Sequence, residues 1–151
     1  MNTHQNNIGR IEWNQSFSVG IERLDHQHKK LLEILNGFLE TVEAQNKKVR
    51  DLAVPFLRGF AAYYQMHFRE EEDLMRQLQH SFFVSHMNEH TEIKKYLKTI
   101  IAQWNDAELT EKIGFATFLR YWVAEHIQTR DVKIGEEARQ NRMEINNKTT
   151  I

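Results

Sequence analysis

With 151 residues, the chain is long enough for one domain with a sizeable core. Its 20 Lys and Arg residues against 21 Asp and Glu leave a formal net charge of -1, so no global field recruits nucleic acid or an anionic membrane. Cysteine is absent, which excludes disulfides, thiolate metal sites, iron–sulfur clusters and a cysteine nucleophile; any metal must be held by nitrogen and oxygen.

Residues 1–18 read as an N-terminal arm in which Trp13 and Phe17 can dock on the helices. The start of the chain is polar, with no apolar core of a leader, and no run of 18 apolar residues occurs anywhere. The expectation is a cytoplasmic protein without a membrane partner. One proline and six glycines disfavour a turn-rich β fold and favour a few long helices.

Beyond the arm lie four apolar stripes, each stepping by three or four residues as a bundle helix requires. The first runs Ile21, Leu24, His28, Leu31, Leu35, Phe38, Val42, and the second Phe56, Phe60, Tyr63, His67, Glu71, Leu74, Leu78, with Pro55 near its start. The third is Phe83, His86, His90, Ile93, Leu97, Ile100, Trp104. The fourth, expected to be capped by Asn105 or Asp106, carries Phe115, Leu119, Trp122 and His126. Short connections near 44–48, 79–81 and 105–108 make neighbours antiparallel, so the fold class is all-α, an up-down-up-down four-helix bundle over 19–134. Residues 135–151 form a C-terminal tail, partly helical or frayed, to which no chemistry is assigned.

Polar residues sit where leucine is expected: His28, His67, Glu71, His86, His90, His126, and then Asp131. Burying them is costly unless something satisfies them, and five imidazoles with two carboxylates on converging seams are satisfied by metal. Residues four apart share a helix face, so His67 with Glu71 and His86 with His90 are preorganised chelates. His126 and Asp131, five apart, fall about 140° apart on an ideal helix; a π-type bulge or a distorted last turn is needed to pair them. Mixed imidazole and carboxylate ligands point to iron first, and two carboxylates able to bridge imply two metals. If both are about six-coordinate, five imidazoles, two bridging carboxylates and one bridging oxygen leave roughly one position open, and an open position walled by apolar side chains suits a small neutral ligand such as dioxygen. His4, His26 and His80 lack a stripe partner and are expected in solvent, as are Glu70, Glu72 and Asp73 around the inward Glu71.

The stretches Asp25-His26-Gln27-His28, His67-Phe68-Arg69-Glu70-Glu71, His86-Met87-Asn88-Glu89-His90 and Trp122-Val123-Ala124-Glu125-His126, followed by Asp131, resemble the bacterial hemerythrins from Trp13 to Asp131. The resemblance implies a non-haem di-iron centre, oxo- or hydroxo-bridged, with His86, His90 and His126 on one iron and His28 and His67 on the other. Glu71 and Asp131 would bridge them, and the second iron would keep a vacant site for reversible binding of O2. That implies an oxygen-binding protein and not an enzyme, used in storage, delivery or scavenging, with an oxygen-consuming enzyme or a signalling protein as a further partner and a monomer as the expected state. Two departures stand out: Gln79-His80-Ser81 replaces a tyrosine-proline turn common in relatives, and the tail is longer. Two rivals are an oxygen or redox sensor and a di-iron enzyme acting on peroxide or nitric oxide. The Glu-x-x-His pairs of ferritin-like oxidases and the His-Glu-x-x-His of metalloproteases are both absent.

Overall fold

The structure, a computed structural model, describes residues 7–148, with side chains through 142. The expected solvent position of His4 lies outside the described residues. An arm with a 3-10 turn at Gln15–Phe17 leads into α1 (Glu22–Glu43), a one-turn α2 (Lys47–Arg50), α3 (Ala53–Leu78), α4 (Phe83–Gln103) and α5 (Leu109–His126). A π turn, Ile127–Asp131, then runs straight into α6 (Val132–Lys148). Helices α1, α3, α4 and α5 form the up-down-up-down bundle. Helix α1 packs against α3 and α5, α3 also packs against α4, and α6 leans on α3.

The inner line of α1 is the expected one: Leu24, His28, Leu31, Leu35, Phe38 and Val42 are all buried. The line of α3 is displaced by one residue over much of its length. Phe56 is exposed and Tyr63 half-buried, while Leu57, Phe60, Tyr64, His67, Phe68, Glu71 and Met75 point inward. Phe56-Leu57 and Tyr63-Tyr64 are adjacent apolar pairs, so either member keeps the three-four rhythm. The backbone phase chooses Leu57 and Tyr64, and the displaced Phe56 ring lies over Gly37, where an added Cβ would meet it at 2.6 Å.

Two expected boundaries move. Asp106 and Ala107 donate their N–H groups to the Gln103 carbonyl at 3.1 and 3.2 Å, so Asn105 and Asp106 belong to the turn closing α4. Helix α5 starts instead at Glu108, whose N–H donates to Glu111 Oε2 at 2.7 Å, as in a capping box. The link between α1 and α3 carries the extra turn α2, opened by Asn46 accepting from the Lys48 N–H at 2.9 Å.

The arm is fastened as well as packed. Asn36 accepts from the Ile11 N–H at 2.9 Å and returns a bond to its carbonyl at 3.0 Å, and Phe17 is buried. Asp25, in the first turn of α1, accepts from the Val19 N–H at 2.7 Å and from Ser18 Oγ at 2.6 Å. The residues after Asp131 are no loose appendage: α6 puts Ile134 into a small second core with Val19, Leu24 and Met75. Its Gly135 touches the arm so closely that a Cβ there would lie 1.7 Å from the Val19 carbonyl oxygen. Only glycine permits that approach.

His80 departs from expectation for the same reason. It is 4% exposed, its Nδ1 accepts from the Phe82 N–H at 3.1 Å, and its Nε2 faces Glu137 of α6 at 3.2 Å. Sequence spacing treats the turn after α3 as open, but α6 folds back over it.

Candidate metal centre

Each of the four bundle helices delivers its polar seam residues to one level. His28 comes from α1, His67 and Glu71 from successive turns of α3, and His86 and His90 from α4. His126 is the last residue of α5, and Asp131 ends the π turn. The wider π turn removes the angular mismatch that an α-helix imposes on a five-residue step, so both side chains face inward, as the spacing required. All seven are buried.

They form two groups with shared members. His28, His67, Glu71 and Asp131 offer ligand atoms within 4.8 Å of one another, and so do Glu71, His86, His90, His126 and Asp131. Each carboxylate turns one oxygen to each side. Glu71 Oε1 lies 3.1 Å from His67 Nε2 and 3.5 Å from His28 Nε2, while its Oε2 lies 3.4 Å from His90 Nε2. Asp131 Oδ2 is 3.2 Å from His28 Nε2, and its Oδ1 is 3.1 and 3.2 Å from His86 and His126 Nε2.

A ring of partners behind the imidazoles decides which nitrogen faces inward. Glu72 lies 3.1 Å from His90 Nδ1, Glu89 lies 3.3 Å from His126 Nδ1, and Gln27 Oε1 lies 2.8 Å from His67 Nδ1. These oxygens are acceptors and draw the Nδ1 protons, leaving the Nε2 lone pairs turned to the interior. Arg130 holds Glu89 at 2.8 Å, and Glu70 links Gln27 to Arg23. Glu72 therefore does not belong to a solvated face, and Glu70 only partly does; His26 is exposed as expected. Sequence reasoning missed Gln27, Glu72 and Glu89, although each is next to a site residue in the chain.

The donor set fits a metal cation. Nε2 atoms approach one another at 3.1 Å between His28 and His67, 3.0 Å between His86 and His126, and 3.2 Å between His90 and His126. Lone pairs so placed repel unless a cation sits between them. All four oxygens of Glu71 and Asp131 are buried with no hydrogen-bond donor in proper geometry among the described residues. Such groups are strongly disfavoured in a native core without a further partner.

Without metal, protons take part of that role. Burial lowers the pKa of His28, but hydrogen bonds and charge from Asp131 and Glu71 overcome it and raise it to about 9. Burial likewise opposes charge on His126, yet Asp131 and Glu89 lift it to about 10. Burial pushes Glu71 and Asp131 up, joined at Glu71 by repulsion from Asp131, yet the surrounding imidazoles hold both well below the usual carboxylate range. His90 is lowered by burial, helped by His86 and His126. A metal cation has to displace the protons on His28 and His126, so metal affinity should rise with pH until it passes about 9 and about 10, with proton release measurable by calorimetry in buffers of different ionisation heat. The metal-free fold shows the opposite trend. Imidazoles with raised folded-state pKa values stabilise it fully below pH 6.5, and that contribution disappears as pH passes about 9 and about 10.

Aromatic rings wall the site. Phe68 stacks on His90 at 3.6 Å, Trp122 on His126 at 4.5 Å, and Tyr64 lies parallel to His67 at 6.1 Å. Beyond Trp122, between α4 and α5, a surface groove of about 600 Å³ reaches His126 past Glu89, Tyr96, Phe118 and Arg130.

Residues 19–137 match the family model described as the hemerythrin HHE cation binding domain. The chain belongs to the hemerythrin family. It is 27% identical over 125 residues to a bacteriohemerythrin of Clostridium acetobutylicum, covering 79% of this chain and 94% of that protein. A hemerythrin-like protein of Naegleria gruberi is 30% identical over 126 residues, covering 82% and 89%. A myohemerythrin of Sipunculus nudus is 26% identical over 121 residues, covering 80% and 88%. The crystal structure of a hemerythrin mutant superposes with a TM-score of 0.74 at 24% identity, over 84% of this chain and 95% of that one, and so shares the bundle fold. Hemerythrins are a di-iron, oxygen-binding family whose members are mainly binding proteins and not enzymes. No helix among the described residues is long and apolar enough to cross a membrane.

Proposed function

We propose that this chain binds dioxygen reversibly at a non-haem di-iron centre, with His86, His90 and His126 holding one iron, His28 and His67 the other, and Glu71 and Asp131 joining them. The observation that carries this reading is the sharing of the two carboxylates, each turning one oxygen to each histidine group. A single tetrahedral zinc would leave three of the seven donors unused.

When bound, a pair of ferrous ions supplies two electrons to a small ligand and recovers them on its release. The protein's part is positional. Gln27, Glu72 and Glu89 hold protons at Nδ1 of His67, His90 and His126 and keep each ring turned inward. Leu31, Phe68 and Ile127, buried in the same core, exclude water, and Trp122 stacks on His126 where the α4–α5 groove reaches it. A dry wall favours return of the ligand unchanged.

The test is anaerobic loading with ferrous iron, followed by iron analysis and visible spectra before air, after air and after removing oxygen. The expected result is about two irons per chain with a charge-transfer band that appears in air and fades on deoxygenation. Direct passage to a stable diferric spectrum would refute reversible binding.

A further inference from the structure

Tyr64 has a polar atom that the fold leaves unused. The side chain is 1% exposed, and its hydroxyl has no hydrogen-bond partner among the described residues. The ring is held on three sides, by Phe68 at 4.0 Å, Phe60 at 5.1 Å and the edge of Trp122 at 5.8 Å, and it lies parallel to the His67 imidazole. Phenylalanine would fill this space without burying a hydroxyl. A buried, unpaired hydroxyl costs more than the hydrogen bond it normally makes contributes. A residue that carries this cost beside the one imidazole pair with fewer nitrogen donors has a partner that arrives from outside the protein.

We propose that the Tyr64 hydroxyl donates a hydrogen bond to the small ligand taken up beside His28 and His67, and so favours ligands whose outer atom carries negative charge. This rests on the reading of a di-iron centre given above. Its role is that of a specificity-determining donor: it holds no metal and transfers no proton. Burial, followed by the charges of Asp131, Glu71 and Glu89, raises its pKa well above the usual phenol range, so the group remains a donor. The ring lies between the imidazole of His67 and the indole of Trp122, which itself stacks on His126, so Tyr64 is packed against both halves of the site. Neither Tyr63, half-buried and one residue earlier, nor Phe68, which has no donor, can replace it.

The experiment compares wild type with Tyr64→Phe, using azide as the probe on the iron-loaded protein and heat on the metal-free protein. Azide should bind about three- to tenfold more weakly to the variant, the worth of one neutral hydrogen bond. The infrared stretch of bound azide should shift between the two proteins, a change that a packing role alone would not produce. The metal-free variant should melt at the same temperature or higher, because it loses an unpaired buried hydroxyl. Equal azide affinity with an unshifted stretch would overturn the proposal, as would a lower melting point in the metal-free variant, which would show that the hydroxyl is already bonded within the fold. If wild type itself fails to take up iron, the reading of the centre fails first, and the proposal with it.

Discussion

Glu71→Ala is expected to cost the protein iron at both positions, whereas His67→Ala should empty first the side that holds His28 and His67. Glu71 is fully buried, and its two oxygens face the two histidine groups, so its loss removes one donor from each. Asp131 alone would then have to hold the two halves together. The variant should also weaken the metal-free protein, because His28 is charged at neutral pH partly through Glu71. Breaking a buried ion pair by deleting one partner costs on the order of 3–5 kcal/mol. Iron analysis after anaerobic loading, with urea unfolding of the metal-free protein, reads both effects. Glu71→Ala retaining full iron would remove the bridging role.

Gly135→Ala should be the most damaging change outside the site. One added methyl must displace either α6 or the arm, since the obstacle is the Val19 backbone carbonyl at 1.7 Å and not a movable side-chain end. Overpacking of this kind costs about 1–3 kcal/mol or more. It should also reach the metal, because Asp131 lies one turn upstream on the same continuous helix, and Val19 is tied to the first turn of α1, three residues before His28. Lower iron retention together with a lower melting point is the expected pair of results. Gly114→Ala and Gly59→Ala are the controls: both are helical with nothing within 4 Å of an added Cβ, and each should gain about 0.5–1 kcal/mol. Thermal melts of the three variants separate close approach from backbone freedom.

Much of the fold was legible because its pattern is local. A seam repeating every three or four residues states which face of a helix is buried, and a histidine or glutamate in that seam states that something polar occupies the core. Where two adjacent apolar residues compete, as Phe56 with Leu57 and Tyr63 with Tyr64, the pattern has no means of choosing, and packing against α1 decided. Counting along an ideal helix also exposed the mismatch between His126 and Asp131, and of the two remedies the spacing allowed, a π bulge or a distorted last turn, the chain uses the π turn.

Features outside the reach of such reasoning depend on pairs far apart in the chain. The burial of His80 requires Glu137 of α6, and the orienting role of Glu89 toward His126 requires α4 and α5 to meet. Residue order was enough for the four amphipathic helices, their antiparallel sequence and the residue types able to take up iron, since all of these come from spacing within one helix or between neighbours. It took the packed bundle to turn each carboxylate toward both histidine groups, to lock the arm against α6 at Gly135, and to leave the Tyr64 hydroxyl without a partner. Those outcomes are set by the relative depth and rotation of packed helices, a long-range quantity that no local period encodes.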